Sequence, residues 1–198
     1  LPSSPDGGSP SGRHLLLFIA HNRGCQYYVG DYRGDKFYPH NHGRMSWVDN
    51  TYFAPEALID GKGRQIMWAW LVDNPPGDAE RGWSGVYGLP RTLWVGKDGT
   101  LRMRPVKELE CLRDQEKTWS NIALDKDAAK PLEGVTGDSC EIIAEFAPSD
   151  ATRRGVIVRA SGDNKKGAFL YYDAEKNELV FDSMTRGGQR VERAPFTL

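Results

Sequence analysis

The sequence predicts an all-β protein built from two successive β regions. Apolar and β-branched runs of strand length recur through residues 14–105, and most are followed by a turn sequence rich in Gly, Asn or Asp. Helical spacing of apolar residues is hard to find in that range. A second series of such runs occupies residues 140–196. Many short strands at regular spacing are typical of a propeller, a sandwich or a barrel.

The elements of the first region are expected to form a β-meander with short connections. HLLLFIAH at residues 14–21 is a continuous apolar run, and CQYYVGDY at residues 25–32 is rich in β-formers. Further runs are KFYP, RMSWVDN, TYFAPEALID, QIMWAWLVD, VYGLPRTLWVG and TLRMRPV, with turns such as RGD, GKGR and KDG between them. Residues 1–13, LPSSPDGGSPSGR, are almost all Pro, Ser and Gly. They predict an exposed loop or linker that packs little.

The second region is more charged and is expected to form a sandwich. KELECLRDQEKTW at residues 107–119 fits a short helix or a crossing segment. Five strand-like runs follow: CEIIAEFAP, GVIVRASG, GAFLYYDAE, ELVFDSM and RVERAPF. Their spacing is typical of a sandwich. Because the sequence stops on an apolar segment, we expect further strands to complete that sandwich.

Composition excludes several classes of partner. The chain has 26 basic and 27 acidic residues among 198 and a formal net charge of −1, so no basic stripe predicts a nucleic-acid partner. No apolar run approaches the length of a membrane span, so no membrane partner is predicted. The cysteines Cys25, Cys111 and Cys140 have no CxxC spacing. They predict neither a zinc site nor a disulfide framework, and no metal or cofactor is expected.

Three segments, taken together, carry a resemblance to a known family. They are YYVGDYRGDKF at residues 27–37, HGRMSWVDNTYFAPEALIDGKGRQIMWAWL at 42–71, and WSGVYGLPRTLWVGKDGTLRMRPVKELECLR at 83–113. In this order and with these gaps they are similar to the last blades of glycoside hydrolase family 32, the invertase, levanase and inulinase group. The resemblance covers about residues 14–113, and residues 140–198 resemble the family's appended sandwich more loosely.

The resemblance implies both a fold and an activity. The family's fold is a five-bladed β-propeller followed by a β-sandwich, so residues 1–105 are expected to be C-terminal blades of the propeller and residues 106–198 the start of the sandwich. The family's reaction is retaining hydrolysis of terminal β-D-fructofuranosides such as sucrose, levan or inulin. It uses an Asp nucleophile, a Glu acid/base and a second, stabilising Asp, and two carboxyl groups about 5 Å apart suit this double displacement.

The family's catalytic motifs are not found in this sequence. Asn-Asp-Pro-Asn-Gly, Arg-Asp-Pro and Glu-Cys-Pro do not occur, and Glu110-Cys111 is followed by Leu112 in the segment that leaves the last blade. The resemblance places the acid/base motif just before residues 14–21. We therefore expect no catalytic residue in this chain. Its expected partners are a fructoside substrate and the remainder of the same enzyme.

Glu56 and Trp70 are the main candidates for substrate binding. Glu56 lies in the apolar stretch FAPEA, where a carboxylate is costly unless it has a partner. The resemblance places it at the inner end of a blade near the sugar pocket; a structural ion pair is the alternative. Trp68 and Trp70 alternate with Ala69 and so share one side of a strand. The resemblance places Trp70 at the pocket rim, whereas Trp68 is expected to pack in the core.

Arg44 is the third substrate-binding candidate. Its guanidinium could make a bidentate contact to a pocket carboxylate or could stabilise the packing of the blade. His40 and His42 precede it closely. Two histidines at this spacing could bind a metal on a strand, but no third ligand is near. We interpret them as loop histidines bonded to backbone carbonyls.

Two alternatives to the fructoside hydrolase remain open from the sequence. A non-catalytic carbohydrate-binding β-module needs only aromatic platforms and hydrogen bonds, and six tryptophans fit such a surface as well as a β-rich core. A related five-bladed propeller enzyme acting on arabinosides or xylosides is disfavoured by the Leu-Pro-Arg segment at residues 89–91 and by the appended sandwich. The preferred substrate, exo or endo action, oligomeric state and compartment are not determined.

Overall fold

The computed structural model describes residues 1–45, 51–73, 78–183 and 191–196. The chain divides into two compact units, Leu1–Cys111 and Leu112–Leu198. Its regular structure is almost entirely antiparallel β, as predicted. Within the described residues, no helix is both long and apolar enough to cross a membrane.

The first sheet of the first unit is a three-stranded meander. Its strands are β1 (His14–Ala20), β2 (Gly24–Arg33) and β3 (Lys36–Arg44), in the order β1-β2-β3. The turn sequences NRG and RGD join them, as the sequence predicts. Alternate side chains of β1, Leu15, Leu17 and Ile19, pack on the hydrophobic core. One face of this sheet is therefore an interior face.

The second sheet follows directly in the chain. It contains β4 (Tyr52–Ile59), β5 (Gln65–Leu71), β6 (Val86–Tyr87), β7 (Arg91–Val95) and β8 (Leu101–Pro105). The strand order is β4-β5-β7-β8, and β6 pairs with the end of β5. The helices of this unit in the described residues are α1 (Asp78–Arg81) and a 3-10 helix, Lys107–Leu112. Four antiparallel strands that pair in chain order, with the short β6 off this path, have the layout of one propeller blade.

The two sheets share one hydrophobic core. Its buried members come from both sheets: Cys25, Val29, Tyr52, Met67, Ala69, Leu93, Val95 and Leu101. Met67, Leu93 and Cys25 are fully buried. Burial raises the pKa of the Cys25 thiol to about 12. The thiols of Cys111 and Cys140 are exposed, and none of the three cysteines forms a disulfide.

Residues 1–13 pack on this unit, so the prediction that they pack little is wrong. Pro2 is buried, and its carbonyl accepts a hydrogen bond of 3.0 Å from the Val95 amide. Gly7 is buried with φ of +91°, and a β carbon there would collide with the Lys62 carbonyl. Composition predicts the irregular path of this segment correctly. It carries no information on whether the segment docks against a sheet formed much later in the chain.

Arg64 connects the β4–β5 turn to the 3-10 helix. It is 9% exposed, and its guanidinium donates to both carboxylate oxygens of Glu108 at 3.0 and 2.8 Å. Its Nε donates to Asp60 at 2.8 Å. Hydrogen bonds from Arg64 lower the pKa of Glu108 to about 2. Two carboxylates thus compensate one buried cation, which would be costly alone.

The second unit contains one described sheet. Its strands are β9 (Arg153–Val158), β10 (Ala168–Asp173), β11 (Glu178–Asp182) and β12 (Val191–Pro195), in the order β12-β11-β10-β9. Four of the five predicted strands are therefore present. The fifth, CEIIAEFAP at residues 140–148, is not a strand, and Ile143 is 86% exposed. A strand needs a neighbour for its backbone groups, and these residues pair with no other described segment.

The second unit's sheet has one buried and one open face. Tyr171 and Val180 lie opposite each other and are 5% and 3% exposed. Leu170 and Phe181 lie opposite each other on the other face and are 42% and 41% exposed. An apolar face left open in this way is what one layer of a sandwich presents to its second layer.

Candidate functional site

The three substrate-binding candidates all lie in the first unit. Arg44 is the last residue of β3, Trp70 is near the end of β5, and Glu56 is in the middle of β4. Strands β4 and β5 are paired, with Phe53 opposite Trp70 and Glu56 opposite Trp68. This pairing fixes which candidates can reach the same surface.

A β-bulge in β4 determines the direction of Glu56. The register shifts between Phe53 and Glu56, so Ala54 and Pro55 together face the single residue Ala69. Ala54 has φ of +46°, a left-handed conformation, and Pro55 has no N–H to donate to the ladder. Without the bulge, Glu56 and Phe53 would point to opposite faces, because side chains alternate along a strand.

With the bulge, Glu56 shares a face with both tryptophans of β5. Residues directly opposite each other point the same way, so Glu56, Phe53, Trp68 and Trp70 line one side of the β4–β5 pair. Trp70 is 38% exposed, and Glu56 is exposed. The bulge thus places a carboxylate and an accessible indole ring on one surface.

Glu56 does not carry the burial cost that its apolar flanks suggest. β4 is the edge strand of its sheet, and residues 56–59 are all exposed. Across the described part of the chain, no ion pair involves Glu56. The Glu56 carboxylate is therefore open to solvent.

Arg44 is tied to the same end of the unit through the β1–β2 turn. Its guanidinium donates to the Arg23 carbonyl at 3.2 Å. In the same turn, the His21 ring contacts Phe53 edge-on, with ring centroids 6.0 Å apart. Since Phe53 lies opposite Trp70, the turn links Arg44 to the β4–β5 surface. Arg44 is therefore connected to Phe53, the residue opposite Trp70, through two residues of the turn.

His40 and His42 lie in β3 and bond side chains, so their interpretation as loop histidines bonded to backbone carbonyls is wrong. His40 is an extra residue at a register shift, and its Nε2 is 3.1 Å from Asp31. The Nε2 of His42 is 2.9 Å from the Gln26 Oε1. Strand pairing supplies these side-chain partners, and neighbouring sequence does not reveal it. Among the described residues, no group of three His, Cys, Asp or Glu could bind a metal ion.

A turn organised by Asp73, whose Gly85 lies against Trp70, is a structural feature that the sequence did not indicate. Asp73 follows β5, and its carboxylate accepts hydrogen bonds from Arg81, from the Gly85 amide at 2.9 Å and from the Ser84 hydroxyl at 3.5 Å. The Arg81 guanidinium also lies 4.6 Å over the Trp83 ring. The loop sequence predicts only a connection here. An Asp directly after a strand and a Gly-Trp pair just before the next strand were the available signals.

The fold defines the class of protein: a propeller with an appended sandwich. The chain is similar to fructan 1-exohydrolase IIa from Cichorium intybus in complex with 1-kestose, with a TM-score of 0.71 and 19% identity, over 98% of this chain and 47% of that one. It is also similar to exo-inulinase from Aspergillus awamori, with a TM-score of 0.62 and 17% identity, over 88% and 38% of the two chains. At these identities the likeness shows the fold.

Sequence comparison gives the family. The model of the glycosyl hydrolases family 32 N-terminal domain matches residues 6–105, and that of the family's C-terminal domain matches residues 108–198. The chain therefore belongs to glycosyl hydrolases family 32, which confirms the resemblance found in the sequence.

Two curated relatives illustrate the match. Fructan 1-exohydrolase from Aegilops tauschii is 32% identical over 155 residues, which are 71% of this chain and 26% of that protein. Sucrose-6-phosphate hydrolase from Zymomonas mobilis is 31% identical over 172 residues, 84% of this chain and 32% of that protein. The chain thus spans between a quarter and a third of the length of these relatives.

Proposed function

We propose that this chain is part of a retaining glycosidase that hydrolyses terminal β-D-fructofuranosides: sucrose, levan or inulin. The observation that carries the proposal is the match of both family domains, in order, over residues 6–105 and 108–198. Relatives named fructan 1-exohydrolase and sucrose-6-phosphate hydrolase support the substrate class. We further propose residues 1–105 as blades of the propeller and residues 106–198 as the start of the sandwich.

Substrate binding is the role that the residues of this chain perform in the proposed enzyme. The ring of Trp70 packs on the apolar face of a sugar, and the Glu56 carboxylate accepts hydrogen bonds from sugar hydroxyls. Their common face and their exposure support these roles. Arg44 supplies donors at the neighbouring end of β3 and positions the β1–β2 turn. The nucleophile and the acid/base belong to other polypeptide of the same enzyme.

The sheet formed by β1, β2 and β3 has an outer face whose residues support the proposal that the rest of the enzyme is a partner of this chain. Phe18 and Tyr28 stack with ring centroids 5.3 Å apart, and Tyr28 lies 4.8 Å from the His42 ring. Leu16, opposite Tyr28, is 44% exposed. Such an aromatic face, opposite to the core face, suits packing against a neighbouring propeller blade.

The test uses both the complete enzyme and the 198-residue chain. The complete enzyme is expected to release fructose from sucrose, levan or inulin with retention at the anomeric carbon. The isolated chain is expected to release none, because retaining hydrolysis needs a nucleophile and an acid/base. A complete protein that binds fructan without cleaving it would overturn the hydrolase and favour the carbohydrate-binding module. Turnover by the pure chain, abolished by changing one of its carboxylates, would overturn the placement of the catalytic residues.

A further inference from the structure

The indole ring of Trp70 lies against the backbone of Gly85. A β carbon on Gly85 would lie 2.8 Å from Cδ1 of that ring and would collide with its Nε1. It would also lie 2.6 Å from the Leu71 carbonyl oxygen. Gly85 has φ of +71°, a conformation that residues with a side chain rarely adopt. The position of the exposed Trp70 ring therefore depends on where the Gly85 backbone lies.

The Asp73 carboxylate fixes the position of Gly85. Its Oδ2 accepts a hydrogen bond of 2.9 Å from the Gly85 amide, and the same oxygen accepts from Ser84 and Arg81. A hydrogen bond to an ionised group is about twice as strong as one between neutral groups. Strand pairing contributes little at this point, because β6 has only two residues. The carboxylate is therefore the main anchor of the backbone beside Trp70.

The backbone that carries Asp73 is itself anchored to the sheet. The Val72 amide donates to the Thr51 carbonyl at 2.9 Å, next to the start of β4. The Asp73 side chain is 26% exposed, so it is partly shielded from water that would compete for the Gly85 amide. A carboxylate on an anchored backbone limits the positions of Gly85 and, through it, of the Trp70 ring. A side chain with fewer accessible positions loses less conformational entropy when a ligand binds.

We propose that Asp73 is a positioning residue for substrate binding: its carboxylate fixes Gly85 against the Trp70 indole and so presents the ring to the sugar. This inference rests on the proposed function for the role of Trp70. Asp73 does not contact the substrate and takes no part in bond cleavage. Its loss weakens substrate binding through displacement of the Trp70 ring.

The first measurement follows the indole N–H signal of Trp70 in two-dimensional proton–nitrogen NMR spectra of the 198-residue chain. The signal is identified by its absence in Trp70→Phe. Asp73→Ala should shift it, because the Gly85 backbone beside the ring moves. Asp73→Asn keeps an acceptor for the Gly85 amide and should shift the signal less than Asp73→Ala does.

The matched control is Asp98→Ala. Asp98 also organises a turn, that between β7 and β8, and it accepts hydrogen bonds from the Thr100 amide at 3.1 Å and from Arg102 at 2.6 Å. The control thus removes a carboxylate with the same kinds of partner from a turn elsewhere in the sheet. It should leave the Trp70 signal unchanged.

The second measurement is a double-mutant cycle in the complete enzyme with a fructoside substrate. Asp73→Ala should raise KM about three- to tenfold, the range for loss of one hydrogen bond, and should lower kcat less. In the Trp70→Ala background the same change should have no further effect on KM, because the ring through which Asp73 acts is gone. A purely structural role would lower stability and leave the two effects additive.

Additive effects of Asp73→Ala and Trp70→Ala on KM would overturn the inference, as would an equal NMR response to Asp73→Ala and Asp98→Ala. Unchanged kinetics for Trp70→Ala would overturn it as well. The NMR comparison does not depend on hydrolysis. A complete protein that cleaves no fructoside would therefore overturn the proposed function, whereas an active enzyme whose Trp70 signal does not respond to Asp73→Ala keeps that function and rejects the positioning role.

Discussion

The two units of the chain use the faces of their sheets differently. In the first unit, two sheets enclose one core, with Met67 and Leu93 fully buried. In the second, one described sheet buries Tyr171 and Val180 on one face and leaves Leu170 exposed on the other. Since apolar burial is the main source of stability, the core of the first unit contributes more to folding than the single described sheet of the second unit. The second unit leaves apolar side chains of its described sheet exposed, and these contribute less to its stability.

The largest expected effect is on the core of the first unit. Leu93→Ala removes a fully buried side chain and should lower the free energy of unfolding by about 2–5 kcal/mol. Leu170→Ala in the second unit, at a side chain that is 42% exposed, should change it by less than about 1 kcal/mol. Urea denaturation followed by tryptophan fluorescence measures both. Equal losses would show that the open face of the second sheet is covered in solution.

Intermediate effects are expected at the candidate site, measured in the complete enzyme. Glu56→Gln keeps the size of the side chain but removes its charge, and transition-state stabilisation should fall by about 1–3 kcal/mol if Glu56 orients sugar hydroxyls. A loss as large as that from deleting a catalytic carboxylate would instead assign Glu56 to the chemical step. Steady-state kinetics together with thermal melts distinguish these outcomes from a loss of stability alone.

Trp70→Ala sharpens the comparison between the units. If Trp70 binds substrate as proposed, the change removes a flat apolar surface that contacts sugar equally in the ground and transition states, so KM should rise more than kcat falls. Trp119 in the second unit is 38% exposed, the same fraction as Trp70, and Trp119→Ala is the matched control. Unchanged kinetics for Trp70→Ala, or equal changes for both variants, would remove Trp70 from the substrate pocket.

The smallest effect is a pH dependence of stability. The pKa of Glu108 is lowered from 4.5 to about 2, chiefly by hydrogen bonds from the buried Arg64. A lowered folded-state pKa stabilises the protein above the unfolded value, so this contribution is present above about pH 4.5 and is lost as the pH falls toward 2. The difference between wild type and Glu108→Gln in urea midpoint should shrink over that range. A difference independent of pH would contradict the ion pair.

Local pattern predicted most of the strands, and long-range pairing decided which segments found a partner. Runs such as HLLLFIAH at residues 14–21 and the RGD turn predict β1 and the β2–β3 connection, because alternation and turn chemistry are local properties. The predictions for residues 1–13 and for residues 140–148 were wrong in opposite ways. The first docks on a distant strand despite its loop composition, and the second has strand composition without a partner.

The candidate site shows the same difference between what local sequence predicts and what strand pairing determines. The choice of Glu56 and Trp70 came from the family resemblance, and nothing in their immediate sequence states that they share a face. That relation depends on the bulge at Ala54 and Pro55. The Asp73 turn was missed because its hydrogen bonds join residues that are 8 to 12 positions apart, inside a segment whose composition predicts only a loop.

The bulge in β4 also sets which change of length the candidate surface tolerates. Regular pairing at unchanged length would put Pro55 opposite Trp68 and Glu56 opposite the buried Met67, and so turn the carboxylate toward the core. Deletion of Ala54 would instead remove the extra residue and leave Phe53 opposite Trp70 and Glu56 opposite Trp68. A strand that is one residue shorter and has no bulge would therefore present its carboxylate on the same face as the bulged strand of this chain.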